Sequence, residues 1–113
     1  MKNVLVIVDW FHPASGGKVA LPNGNTYTAP VKFFSQSAQE WKANAWSLRF
    51  TWLDKNSPNG SWFGLAEFLS SKAPKEWLEP DNQFEIYEGP KPVGRVKVLA
   101  SEKVMAAISA LAE

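Results

Sequence analysis

Residues 46–52, Trp-Ser-Leu-Arg-Phe-Thr-Trp, decide the fold of this chain. Large apolar side chains at Trp46, Leu48, Phe50 and Trp52 alternate with smaller or polar ones. This period of two is typical of a β-strand with one buried face and one solvated face. We therefore predict that these four side chains point into one core.

Five further strands are predicted around this one, because each stretch is apolar or alternating and has the length of a strand. They cover residues 4–10, 26–34, 62–69, 84–88 and 93–99. Pro30 lies inside the second of them and cannot donate a ladder hydrogen bond, so we expect it at a sheet edge or a bulge.

The segments between the predicted strands carry turn signals, such as Asn23-Gly24 and Gly89-Pro90. Residues 35–44 form a longer polar connection with room for one helical turn. Residues 73–78 are predicted to form one helical turn opened by a proline. Short strands joined in this way predict a mostly β fold, a six-stranded antiparallel, Greek-key-like barrel that is closed or nearly closed. Closure would remove the exposed strand edges.

The end of the chain has a helical period. Ser101 is a plausible N-cap, and three apolar residues share the i, i+4, i+7 spacing of one helix face, at Val104, Ile108 and Leu111. We predict a C-terminal α-helix over about residues 101–112, packed on the outside of the sheet or across an open end of the barrel.

The composition fits a single domain over residues 1–113, with the barrel over about residues 3–99. Hydrophobic residues make up 45% and charged residues 20%, as in ordinary globular proteins. The net charge of +1 provides no overall attraction to nucleic acid or to a membrane. There is no cysteine, which excludes a disulfide framework and a cysteine-based zinc site. The apolar run at residues 4–8 is too short for a signal peptide or a membrane span, so we expect a cytoplasmic protein.

No catalytic or metal-binding pattern stands out in the sequence. His12 is the only histidine, whereas a catalytic triad needs a base with its partners and a metal site needs several good ligands. The strand carboxylates Asp9, Glu67, Glu85 and Glu88 are more simply explained as solvated charges than as a glycosidase pair. We predict a protein that is not an enzyme and that uses no cofactor.

Two tryptophans outside the predicted strands are the best candidates for a binding site. Trp41 lies between Glu40 and Lys42 in the long polar connection, and Trp77 lies in the predicted helical turn. An exposed aromatic side chain with polar neighbours is typical of an interface anchor. The alternative for each tryptophan is that it covers an open end of the barrel.

Three stretches resemble the C-terminal β-barrel domain of translation elongation factor Tu. They are a Gly-Gly-Lys turn with a following proline in residues 14–22, an aromatic-proline-aromatic strand in residues 27–33, and a final hairpin over residues 78–96. The resemblance covers about residues 3–99 and implies a six-stranded barrel, with Lys18 as a partner contact. The chain departs from the family because it has no phosphate-binding loop and no Arg or Gln in residues 26–34.

Free-standing barrels of this kind resemble small bacterial immunity or accessory proteins. We therefore predict a non-catalytic protein-binding module, most specifically an immunity or antitoxin protein that neutralises a partner toxin. Its predicted contacts are Trp41, Glu40, Lys42, Lys18 and Trp77. The alternative, which the balanced charge disfavours, is an RNA-binding accessory of translation that uses Lys18, Lys32, Lys42, Arg49, Arg95 and Lys97. A carbohydrate-binding protein that uses the loop tryptophans has the least support.

Overall fold

A computed structural model describes residues 3–12, 21–56 and 60–100 of the chain. Within these residues the chain forms six strands, one short α-helix and one 3-10 turn. The strands are β1 (Val4–Trp10), β2 (Thr26–Phe33), β3 (Trp46–Asp54), β4 (Trp62–Phe68), β5 (Gln83–Glu88) and β6 (Lys91–Ala100). The helix α1 is Ala38–Ala43 and the 3-10 turn is Lys75–Trp77. The predicted C-terminal helix and Lys18 lie outside the described residues.

The six strands close into one antiparallel barrel, which confirms the prediction of a mostly β, six-stranded antiparallel barrel. Their order around the barrel is β1-β4-β3-β2-β5-β6, and β6 returns to pair with β1. Strand β1 therefore lies between β4 and β6, and each strand has a partner on both sides. Closure satisfies strand edges that would otherwise be open to another chain.

Pro30 lies where β2 is paired on one side only, which agrees with its predicted place at a sheet edge. Pro30 pairs with Ser47 of β3 in unbroken register. The ladder between β2 and β5 covers only residues 31–33. Pro30 thus lies just past the end of that ladder, and no residue of β5 pairs with it.

The inward face of β3 is the one predicted from the sequence. Leu48 and Phe50 are fully buried and Trp52 is 8% exposed, while Trp46 is half-buried and packs against the core. The other strands contribute alternate residues to the same core, among them Val4, Val6, Val8, Val31, Phe33, Phe68, Phe84, Ile86, Val96 and Val98. The barrel interior is therefore filled by side chains, as expected for a barrel of this size.

Candidate partner-binding surface

Helix α1 follows β2 and is fixed at its first turn by a capping box. The backbone N–H of Glu40 donates to Ser37 Oγ at 3.1 Å, and the backbone N–H of Ser37 donates to Glu40 Oε1 at 3.4 Å. These reciprocal bonds satisfy backbone donors that a helix N-terminus leaves unpaired. The carboxylate of Glu40, a predicted contact residue, therefore also helps to hold the helix that presents Trp41.

Trp41 lies against the outside of the barrel wall. Its indole Nε1 donates to the backbone oxygen of Val31 at 2.9 Å, and its ring centroid is 4.5 Å from that of Tyr87. Tyr87 follows the buried Ile86 on β5, so strand alternation turns its ring outward. Trp41 is half-buried and is not part of the core cluster. It covers the junction of β2 and β5 on the outer wall and does not plug a barrel end.

The surroundings of Trp41 are polar and open to solvent. Lys42 is exposed and Glu40 is exposed, and Asn44 closes the helix by donating its backbone N–H to Glu40 O at 3.0 Å. An aromatic side chain that is already held by a hydrogen bond and a ring contact loses little further freedom on binding a partner. We call Trp41 with Tyr87 the outer aromatic pair.

Trp77 occupies a different part of the molecule. Its ring meets Phe33 edge-on, with 5.2 Å between centroids, and it packs half-buried against the core. Its backbone oxygen accepts a hydrogen bond from Asn82 Nδ2 at 2.5 Å. Phe33 ends β2 and contacts Phe68 at the end of β4, so Trp77 lies over that barrel end. The structure thus places Trp41 on the outer wall and Trp77 at an end, with no ring contact between them among the described residues.

The opposite barrel end holds an aromatic cluster that the sequence only partly indicates. It consists of Trp10, Tyr27, Trp52 and Trp62, and we call it the Trp10 cluster. Trp62 meets the other two indoles edge-to-face, 5.4 Å from Trp10 and 4.9 Å from Trp52. The sequence places Trp10 and Trp62 at strand ends, but only the strand order brings them together. Edge-to-face contacts of this kind stabilise a packed core beyond the area they bury.

Two indole donors in this cluster lack conventional partners. Nε1 of Trp10 and Nε1 of Trp52 are buried and have no hydrogen-bond acceptor among the described residues. The faces of neighbouring rings are weak acceptors, and edge-to-face packing suits such N–H···π contacts. The cluster is therefore better explained as packing than as an open binding site.

A shallow groove of about 260 Å³ lies beside the Trp10 cluster. Its lining consists of Asn25, Trp52, Leu53, Asp54, Lys55 and Asn56. The ammonium group of Lys55 lies 5.0 Å from the Trp62 ring and donates to Gly24 O at 2.7 Å. Lys55 is thus engaged with the protein itself, and the groove has no enclosed polar site that would orient a small ligand.

Charged side chains form an in-register row on the wall of β2, β5, β6 and β1. Lys32 pairs with Glu85, Glu85 with Arg95, and Arg95 with Asp9. The charges alternate in sign along this row, and the guanidinium of Arg95 lies 3.9 Å from Glu85 Oε2. Two other cations have acidic partners as well: Arg49 pairs with Glu67, and Lys97 with Asp81 at 3.6 Å. Most of the cations predicted for RNA binding thus face a carboxylate.

The described part of the chain contains no cluster of three potential metal ligands. Nor does it contain a helix both long and apolar enough to cross a membrane. These findings apply to residues 3–12, 21–56 and 60–100 only.

The fold and the outer aromatic pair define a small, closed six-stranded antiparallel barrel with an aromatic group held on its outer wall. Comparison with protein-family models gives no matching family, and comparison with curated proteins gives no significant match.

Proposed function

We propose that this protein is a non-catalytic protein-binding module, and that its most specific role is that of a bacterial immunity or antitoxin protein that neutralises a partner toxin. The observation that carries the proposal is the outer aromatic pair. Trp41 is held on the barrel wall by a hydrogen bond to Val31 O and by its contact with Tyr87, and it remains partly open to solvent.

The energetics of interfaces favour such a residue as an anchor. Most of the binding energy at a protein interface comes from a few side chains, with Trp and Tyr enriched among them. The outer aromatic pair supplies both residue types in one contact, and the exposed Lys42 and Glu40 supply a polar rim. Removing such an anchor typically costs about 2 kcal/mol or more of binding free energy.

The RNA-binding alternative has less support from the charge arrangement. RNA binding through phosphates requires cations that are free to replace counterions. Arg49, Arg95 and Lys97 each lie beside a carboxylate. Binding RNA would mean giving up these pairs, so the protein-binding role is the simpler one.

The test is co-purification of the chain with the product of its neighbouring gene, followed by an assay of that product's toxicity. We expect a stable complex and loss of toxicity, and Trp41→Ala should weaken the complex by about 30-fold or more. Trp41→Phe is the matched variant, because it keeps a ring against Tyr87 but loses the bond to Val31. A neighbouring product that neither binds nor loses activity would refute the immunity role. A complex that Trp41→Ala leaves unchanged would refute the anchor.

A further inference from the structure

Phe34 is an exposed aromatic residue on the same barrel wall as the outer aromatic pair. It directly follows Phe33, the buried last residue of β2, so chain alternation places it on the outside. Phe34 is 52% exposed, and the guanidinium of Arg95 lies over its ring, 5.6 Å from the centroid. This cation–π contact holds an aromatic ring in place without burying it. We call these two residues the Phe34–Arg95 site.

The Phe34–Arg95 site and the outer aromatic pair lie at two levels of strand β5. Arg95 pairs with Glu85 in the ladder between β5 and β6, and Tyr87 lies two residues further along β5. At about 3.4 Å per residue, these two levels are roughly 7 Å apart along the backbone. Lys32 pairs with Glu85 from the β2 side. The two aromatic sites therefore belong to one continuous outer surface, with a pair of opposite charges between them.

The cations of this surface keep hydrogen-bond donors free for a partner. The side chains of Arg95 and Lys97 are 53% and 45% exposed, whereas that of Glu85 is only 22% exposed. A guanidinium has five N–H donors and an ammonium group has three. Contacts of 3.9 Å to Glu85 and 3.6 Å to Asp81 leave most of these donors for another acceptor. The solvent side of the Phe34–Arg95 site is therefore positive.

The alternation of charge along the wall limits which anions fit this site. Arg95 lies between Glu85 and Asp9 in the in-register row. A carboxylate placed at Arg95 and Lys97 meets two cations. A second anion one strand away on either side would meet a carboxylate, and such contact between like charges is unfavourable. The surface therefore suits an isolated carboxylate beside an apolar group better than a run of phosphates.

We propose that the partner-binding surface extends from the outer aromatic pair to the Phe34–Arg95 site, and that it binds an acidic segment of a partner protein. An aspartate or glutamate of that segment binds Arg95 and Lys97, and a neighbouring apolar side chain packs on Phe34. Charge-assisted hydrogen bonds of this kind are stronger than neutral ones. The proposal rests on the proposed protein-binding role, but it does not require the partner to be a toxin.

The test uses random peptides displayed on phage as the probe and the full chain as the immobilised target. We expect the selected peptides to share an acidic residue beside an apolar one. Their synthetic copies should bind more weakly as the salt concentration is raised. Arg95→Gln should weaken their binding about tenfold or more, because the charge-assisted bond is lost, and Phe34→Ser should weaken it by a similar factor.

Two matched control variants lie on β3, away from this surface. Arg49 has a 47% exposed side chain and an acidic partner, as Arg95 does, and Leu53 is 59% exposed. Arg49→Gln and Leu53→Ser should therefore change the Kd of the same peptides by no more than about twofold. Equal losses for Arg49→Gln and Arg95→Gln would overturn the proposal.

Other results would also overturn it. One is a selection that gives no binding peptide, or only peptides without acidic residues. Another is a single-stranded RNA of uridines that binds more tightly than the peptides and loses its binding on Arg95→Gln, because the wall would then be a nucleic-acid surface.

The experiment separates this proposal from the immunity role. Acidic peptides that bind as expected, together with a neighbouring gene product that does not bind, would support the surface and refute the immunity role. A neighbouring gene product that binds through Trp41, with an affinity that neither Arg95→Gln nor Phe34→Ser changes, would refute the extended surface alone.

Discussion

The hydroxyl of Tyr27 donates a hydrogen bond to Glu88 Oε2, with 2.5 Å between the two oxygens. Tyr27 lies near the start of β2 and Glu88 is the last residue of β5. The backbone ladder between these strands covers only residues 31–33. This side-chain bond therefore joins β2 to β5 beyond the point where their backbones separate.

The two tyrosines should titrate at unusually high pH. Burial raises the pKa of Tyr27 above the ordinary value of 10.0, and the hydrogen bond and negative charge of Glu88 raise it further. Burial and then the charge of Glu85 raise the pKa of Tyr87. Since the neutral form is favoured in the folded state, the resulting stability is complete below pH 10 and is lost as the pH rises above it.

The titration of the two tyrosines can be measured directly from tyrosinate absorbance, because the chain has no others. We expect the folded protein to titrate above pH 10 and the protein in denaturant to titrate near pH 10. Tyr27→Phe should make the stability less sensitive to alkaline pH and should cost about 1 kcal/mol at neutral pH through the lost bond. Identical titrations of the folded and unfolded protein would contradict the structure.

Phe50→Ala should cost roughly 3–5 kcal/mol of unfolding free energy, because the side chain is fully buried and its loss leaves a cavity. That is a large part of the 5–15 kcal/mol typical of a domain. Thr51→Ala, at the next, exposed position, is the control and should stay within about 0.5 kcal/mol. Chemical denaturation of the two variants checks both values, and a nearly unchanged Phe50→Ala would show that the inward face is assigned wrongly.

Gly64→Ala should destabilise the protein, because there is no room for a methyl group at this position. A methyl group there would lie 2.9 Å from the backbone oxygen of Thr51 and 3.0 Å from the Trp52 ring. Relieving this overlap requires the β3 backbone to shift, which we expect to cost about 1–3 kcal/mol. Gly24→Ala, where the nearest atom is Thr26 O at 3.8 Å, should be nearly neutral. Thermal melts of the two variants compare them, and equal melting temperatures would contradict the close packing at Gly64.

Substitutions of the two tryptophans outside the strands should lower the free energy of unfolding by different amounts. Trp77→Ala removes a ring packed on Phe33 and the core, so it should cost several kcal/mol of unfolding free energy. Trp41→Ala removes one hydrogen bond and one ring contact on the outer wall, and about 1–2 kcal/mol is expected. Denaturant unfolding measures both. A larger loss for Trp41→Ala would show that it supports the fold more than it presents a surface.

The local elements of this fold follow from the sequence, whereas its long-range pairing does not. The alternation of side chains from Trp46 to Trp52 predicts strand β3 and its inward face, because a period of two is a property of adjacent residues. The position of β1 between β4 and β6 depends on partners far away in the sequence, and no turn signal predicts it. The Trp10 cluster could not be predicted for the same reason, since strand order alone brings Trp10 and Trp62 together.

In the candidate site, too, the sequence predicts the local features but not the long-range contacts. The sequence singles out Trp41 by its polar neighbours, and Ser37 with Glu40 is a capping-box signature that marks the start of α1. The hydrogen bond from Trp41 to Val31 and the contact with Tyr87 have no local signal. They arise because the helix folds back on a wall that β5, over 40 residues further on, completes.

Because β1 lies between β4 and β6, its pairing can be completed during synthesis only after β6 has been made. Strand β1 is made first, but its second neighbour, β6, ends only at Ala100. At the usual rates of translation, the apolar run from Val4 to Val8 waits on the order of 10 s for that neighbour. Barrels with such distant pairings also fold slowly, on the scale of milliseconds to seconds. The nascent chain is therefore most prone to aggregation before β6 emerges, and a chaperone that binds apolar strands would act on residues 4–8 in that interval.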